Sequence, residues 1–101
     1  MWIQFNNAFL SIVENRDNKL ELLVRARVKG DIEKIFPDAY VFEDNSADYK
    51  YRAFISKVKV AAKMMFKMTD INYDNFKNSV IEIERKNAYN NVWIELRKLQ
   101  K

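Results

Sequence analysis

A chain of 101 residues with a single glycine, Gly30, and a single proline, Pro37, has very few residues that supply left-handed or rigid backbone. Turns fall to Asn, Asp and Ser, and the glycine-rich loops that cradle phosphates have no counterpart. With 49% apolar and 14% aromatic residues, this scarcity excludes disordered, collagenous and linker classes. A chain of this size buries roughly 60–70% of its unfolded surface, enough for one core. No repeat, low-complexity segment or linker divides it, so residues 1–101 read as a single domain.

Residues 2–14 place Trp2, Ile3 and Phe5 before Asn6-Asn7 and Phe9, Leu10, Ile12 and Val13 after it, which predicts a hairpin with an Asn-rich turn. Turn chemistry at Asn15–Asn18 leads to a strand over Leu20–Val28, with Leu22, Val24, Ala26 and Val28 on one face. Gly30-Asp31 ends that strand and supplies the N-cap candidate of a short helix carrying Ile32, Ile35 and Phe36 and stopped by Pro37. A fourth strand follows over Ala39–Glu43 and, after a polar turn, a fifth over Tyr49–Ile55. Ser56 suits the N-cap of a helix in which Val58, Ala61, Ala62, Met65 and Met68 recur as the core-facing stripe, opposite Lys59, Lys63 and Lys67.

From Tyr73 onward nothing breaks helical character, which predicts one helix of more than about 25 residues. Its apolar residues do not form one line. Tyr73, Phe76, Val80 and Ile83 lie within about 80° of arc, whereas Ala88, Tyr89, Val92, Leu96 and Leu99 centre roughly 150° away at 100° per residue. Either the helix breaks near Lys86-Asn87 or its halves bury different faces. The expected fold class is α+β: a mainly antiparallel sheet of four or five strands, a short inserted helix and two C-terminal helices packed on one face.

The chain has neither Cys nor His, which removes disulfides, zinc-finger spacings, Cys or Ser/His nucleophile pairs and imidazole proton shuttles. A non-enzyme without cofactor is the expectation, with no catalytic residue and no metal site. The charged turn Glu43, Asp44 and Asp48 lacks the spacing of a calcium loop. Met1–Leu10 has no basic n-region or apolar run, so it does not read as a signal peptide. No apolar stretch nears the ~20 residues that span a bilayer, so no membrane partner is expected and a cytoplasmic location is.

The net charge of +4 is unevenly spread. Residues 1–49 hold six Lys/Arg against nine Asp/Glu, and residues 50–101 hold twelve against five. Arg25 and Arg27 share a strand face, as do Lys50 and Arg52, so pairing of these strands would gather a basic patch suited to phosphates or carboxylates. On an ordinary exposed sheet the same arginines would pair with Glu14, Glu21 and Glu43. Tyr49 and Tyr51, expected on the opposite face, read as half-buried sheet contacts in preference to a stacking platform for nucleic acid, and Tyr-Lys-Tyr-Arg-Ala-Phe lacks the glycine of an RNP1 motif. Lys59, Lys63 and Lys67 form a ridge that would track a phosphate backbone or keep a helix face solvated. Met64–Met68 reads as core. Tyr89, Val92, Trp93, Leu96 and Leu99 need a covering surface, which a bend, a second copy or a foreign protein would supply.

Several stretches taken in order resemble a set of small bacterial and phage proteins of uncharacterised function: Met1-Trp2, Phe9–Val13, Arg25–Val28, Asp48–Arg52, Ile71–Lys77 and Val92-Trp93. Near residue 7 the shared layout has Gly where this chain has Asn7. The resemblance implies a common fold and a prokaryotic or mobile-element setting, and carries no activity. The leading expectation is a non-enzymatic binding module of phage or mobile-element type that inhibits or modifies a host machine through protein–protein contact. The alternative is nucleic-acid binding through the basic sheet patch and the lysine ridge. A homodimer is the further partner considered.

Overall fold

Apolar–polar alternation resolves into five antiparallel strands. The computed structural model describes residues 1–101. Strands β1 (Trp2–Gln4), β2 (Phe9–Glu14), β3 (Glu21–Ala26), β4 (Phe42–Glu43) and β5 (Tyr51–Ser56) form one sheet in the order β1-β2-β3-β5-β4. The architecture is α+β, with helices α1 (Asp31–Ile35), α2 (Lys57–Thr69), α3 (Phe76–Ser79) and α4 (Ile83–Arg97). None of the helices is long and apolar enough to cross a membrane.

Phe5 N–H donates to the Ala8 carbonyl at 2.8 Å and closes the first hairpin around Asn6-Asn7. No residue other than Gly30 has positive φ, so this connection is not the left-handed two-residue turn that an Asn pair favours. The predicted fourth strand shrinks to two residues at the sheet edge, and Tyr49 lies outside β5.

Leu10 and Ile12 of β2, Val24 and Ala26 of β3, and Ala53 and Ile55 of β5 form the apolar face of the sheet. Ile32, Ile35 and Phe36 from α1 and its exit cover this face together with Val60 of α2. At the start of α1, Gly30 adopts the left-handed conformation at φ +93° and leaves Asp31 inside the helix. Asp31 caps nothing. It is fully buried and its carboxylate accepts from the Phe9 amide at 3.0 Å.

Ser56 caps α2 as expected, its Oγ accepting from Lys59 N–H at 3.1 Å. The helix nevertheless faces the opposite way from the sequence expectation. Val60 is buried and Met64 packs on the core, while Lys63 and Lys67 are half-buried on the same side. The stripe Val58, Ala61, Ala62, Met65 and Met68 is turned to solvent.

The expected long final helix is interrupted at Val80–Glu82, where the backbone is extended, rather than near Asn87. Asn75 caps α3 through its side chain at 3.1 Å, and α4 starts afresh at Ile83. Restarting resets the helical phase. Arg85, Tyr89, Val92, Leu96 and Leu99 then lie on one line at 100° per residue. The first expected stripe is dispersed: Tyr73 precedes α3, Phe76 lies in it, Val80 is in the extended break and Ile83 opens α4. Ile83 is exposed, and Phe76 stacks on Tyr89 with ring centroids 5.8 Å apart instead of reaching the sheet.

Arg85 docks α4. Its Nη2 and Nη1 donate to the two Asp31 oxygens at 2.8 and 3.0 Å in a buried bidentate pair. One turn on, the Tyr89 hydroxyl sits 2.9 Å from both the Phe5 and Ala8 carbonyls and accepts from Arg85 Nη1 at 3.4 Å. The helix is thus fastened to the hairpin turn and the start of α1, beside the end of the sheet.

Candidate functional site

Side chains alternate across a strand, so the residues between the core positions face the other side of the sheet. No helix is laid across that side. Trp2, Ser11, Arg25, Arg52 and Phe42 form one cross-strand row there, because Trp2 opposes Ser11, Ser11 opposes Arg25, Arg25 opposes Arg52 and Arg52 opposes Phe42. The neighbouring row holds Val13, Leu23 and Phe54.

Placing two arginines directly opposite each other concentrates like charge, which the fold tolerates by binding both to Tyr49. The Arg25 guanidinium lies 4.6 Å and that of Arg27 4.2 Å from the centre of the buried Tyr49 ring. Arg52 Nε donates to the Tyr49 carbonyl at 3.1 Å. Arg25 also donates to Ser11 Oγ at 2.7 Å, and Arg27 to the Asp48 carbonyl at 2.9 Å. The only carboxylate in an ion pair with the cluster is that of Asp48, 3.6 Å from Arg52.

The carboxylates expected to neutralise these arginines are engaged elsewhere or point away. Glu14 pairs with Lys19 at 3.5 Å, and Glu21 accepts from Asn15 and Asn18 at 3.3 Å. Glu43 opposes Tyr51 and so lies on the helix-covered side. Arg25, Arg27 and Arg52 therefore carry a net positive charge into the face they share.

Lys50 does not join them, since its ammonium lies 5.6 Å from the ring centre of Tyr51, whose side chain packs on the core. Tyr49 and Tyr51 form no stacking platform. Tyr49 precedes the strand, breaks its alternation and is consumed in holding arginines. The aromatic groups on the arginine side are instead Trp2 and Phe9, edge to face at 5.9 Å, and Phe42 and Phe54 at 5.7 Å. Trp2 is 69% and Phe54 47% exposed. Residue parity within each strand was the signal for them, but only pairing order reveals that they bracket the arginines.

The lysine ridge is separate from this surface, because α2 packs on the opposite face of the sheet. Lys59 is exposed while Lys63 and Lys67 are half-buried. Of the Met64–Met68 cluster, Met64 alone reaches the core. Asp44 binds the amide and hydroxyl of Ser46 at 3.1 and 2.7 Å, and these bonds hold its carboxyl below its ordinary pKa.

At one end the arginine face runs into a cleft of about 400 Å³ between Gln4, Phe9 and Arg27 on the sheet side and Ala88 and Val92 of α4. Its floor includes the Asp31–Arg85 pair. Burial pushes the pKa of the Tyr89 hydroxyl up, against a smaller lowering by the Arg85 hydrogen bond. For Arg85, burial disfavours the charge, but its bonds to Asp31 and Tyr89 outweigh that and raise its pKa. Neither group is poised to exchange protons near neutrality, so the cleft has a fixed ion pair.

The candidate partner surface on α4 divides along its length. Tyr89 is a buried anchor and Val92 is half-buried at the cleft. Trp93, with Lys77 Nζ 4.9 Å and Arg97 5.6 Å from its ring centre, is partly open, and Leu96 and Leu99 are exposed beyond the last contact. Comparison of the chain with family models, curated proteins and solved structures returns no match.

Proposed function

We propose that the protein is a non-enzymatic binding module that holds single-stranded nucleic acid across the face of its sheet that carries no helix. The observation that carries this reading is the clustering of Arg25, Arg27 and Arg52 around one buried tyrosine, with a single ion pair, to Asp48, among the three. Guanidinium groups held in place lose little freedom on meeting a phosphate and present paired donors to it. The flanking aromatic pairs supply what a phosphate site alone would lack. Bases of any sequence stack on such side chains, each worth about 1–3 kcal/mol. From β1 to β4 the platform spans four strand spacings, roughly 19 Å. A duplex buries its bases and would use only the cationic part. A protein partner is supported by a different observation, the outward apolar stripe of α2.

The test is fluorescence anisotropy of a labelled mixed-sequence DNA oligonucleotide, single-stranded and duplex, titrated from low to moderate salt. Single-strand binding should exceed duplex binding, and log affinity should fall against log salt with a slope of about −2 for three phosphate contacts at about −0.7 each. Arg25→Gln, Arg27→Gln and Arg52→Gln together should abolish binding, while Trp2→Ala should weaken it at every salt concentration without altering the slope. Absence of binding at low salt, or binding that survives in a folded triple variant, overturns the reading.

A further inference from the structure

We propose that the outward face of α2 docks an acidic amphipathic helix of a partner protein. At 100° per residue, Val58, Ala61, Ala62, Met65, Phe66 and Met68 occupy a continuous arc of about 160° that contains no charged residue. All six are exposed, and Val58 at 81%, Met65 and Phe66 at 58% and Met68 at 70% stand largely in water. This face is independent of the arginine cluster and lies on the other side of the sheet.

The shape of the stripe favours a helix as occupant. Positions 58, 61, 62, 65 and 68 follow the i, i+3, i+4, i+7 spacing by which one helix lays its apolar line along another. Val58 stands at one end and Met65 and Met68 at the other, with Ala61 and Ala62 between them. The alanines form a shallow waist into which larger side chains of a second helix fit, and the unbranched methionines adapt to them. A lipid surface is less well matched, because two of the six residues offer only a methyl group for insertion.

Charge selects which helix. Lys57 and Lys59 border the arc on its two sides and Lys63 and Lys67 lie beyond Lys59, while α2 contains no carboxylate from end to end. None of the four lysines has an ion-pair partner within the chain. Pairing α2 with its own copy would set the Lys57 and Lys59 ammonium groups of one helix against those of the other, which opposes self-association. A partner helix with apolar residues on one line and Glu or Asp on both flanks satisfies the stripe together with the bordering Lys57 and Lys59.

Two synthetic helical peptides test this by isothermal titration calorimetry. Both carry Leu and Ala on one line, one with Glu and the other with Lys on the flanks. The full-length protein should bind the acidic peptide at least tenfold more tightly than the basic one, and the difference should shrink at 0.5 M salt. Met65→Asp should reduce acidic-peptide binding at least tenfold, and so should Lys57→Glu with Lys59→Glu. These side chains are exposed, so circular dichroism should show the variants folded. Binding of neither peptide, or of both alike, overturns the proposal. So does binding to vesicles of phosphatidylserine and phosphatidylcholine in place of the acidic peptide. A dimer in light scattering that Met65→Asp dissociates would assign the stripe to a second copy instead. The Arg25/Arg27/Arg52 triple variant should bind the acidic peptide normally.

Discussion

A buried ion pair is one of the two anchors of α4, beside the Tyr89 hydroxyl, and its removal has a calculable cost. Asp31 and Arg85 side chains retain 1% and 6% of their exposure, so the pair is not a solvent-screened surface bridge. Arg85→Met keeps most of the side chain's bulk and leaves Asp31 with the Phe9 amide at 3.0 Å and Lys34 at 3.6 Å. Breaking one side of a buried pair costs about 3–5 kcal/mol, and the two remaining contacts place the loss toward the lower end. Asp31→Leu strands the Arg85 charge and also orphans the Phe9 amide, so it should cost more. The double variant carries neither charge, and only the amide is left unsatisfied, at about 1–3 kcal/mol. It should therefore be more stable than either single variant. Urea denaturation followed by circular dichroism, with the four proteins compared as a cycle, measures this. If the double variant loses the sum of the two single losses, the groups are uncoupled and α4 is not held as described.

Gly30→Ala should lower stability by about 1–2 kcal/mol through backbone strain, since Gly30 sits at φ +93° and a Cβ there meets nothing within 4 Å; an unchanged urea midpoint would contradict the left-handed start of α1. Ser56→Ala should cost about 1 kcal/mol and Ser56→Asp much less, because a carboxylate can accept from the Lys59 amide as the hydroxyl does. Tyr89 is held protonated by burial. An unfolded tyrosine ionises near pH 10, so above about that pH the unfolded chain loses a proton the folded one keeps. Stability should fall as pH rises from there until the folded Tyr89 itself ionises, and Tyr89→Phe should remove that part of the slope.

The sheet was largely legible because its signal is local. Alternation in Leu22–Ala26 and Ala53–Ile55 reports which side chains face inward, and Val24, Ala26, Ala53 and Ile55 all lie in the core. Helix orientation was legible in α1, whose Ile32, Ile35 and Phe36 are buried as expected, but not in α2 and α4. In α2 the sequence offers a broad apolar arc and a narrow one, and the narrow line of Val60 and Met64 is the one buried. In α4 the first inward residue is Arg85, which hydrophobicity assigns to solvent and which is buried only because Asp31, 54 positions earlier, meets it. The basic site was legible in part. Strand parity groups Arg25 with Arg27, but the role of Tyr49 depends on its lying just outside β5, a boundary set by the turn at Asp44 rather than by pattern.

The positions of the two proposed surfaces limit how they can influence each other. Arginines and aromatic side chains occupy one face of the sheet, and α2 lies on the other with its apolar stripe directed away from it. A ligand on either surface touches no residue of the other, and β5 runs directly into α2 with Ser56 as the junction. Coupling between binding events must then pass through a strand that is paired on both sides, β3 and β4, and through Val60 in a close-packed core. The two surfaces share no residue, so the two affinities should be independent within a factor of about two, well below the 5–150-fold typical of allosteric coupling. Titrating the acidic peptide into protein saturated with the oligonucleotide measures the coupling directly. The two ligands carry the same sign of charge, so their residual repulsion should be the only interaction between them, and salt should remove it.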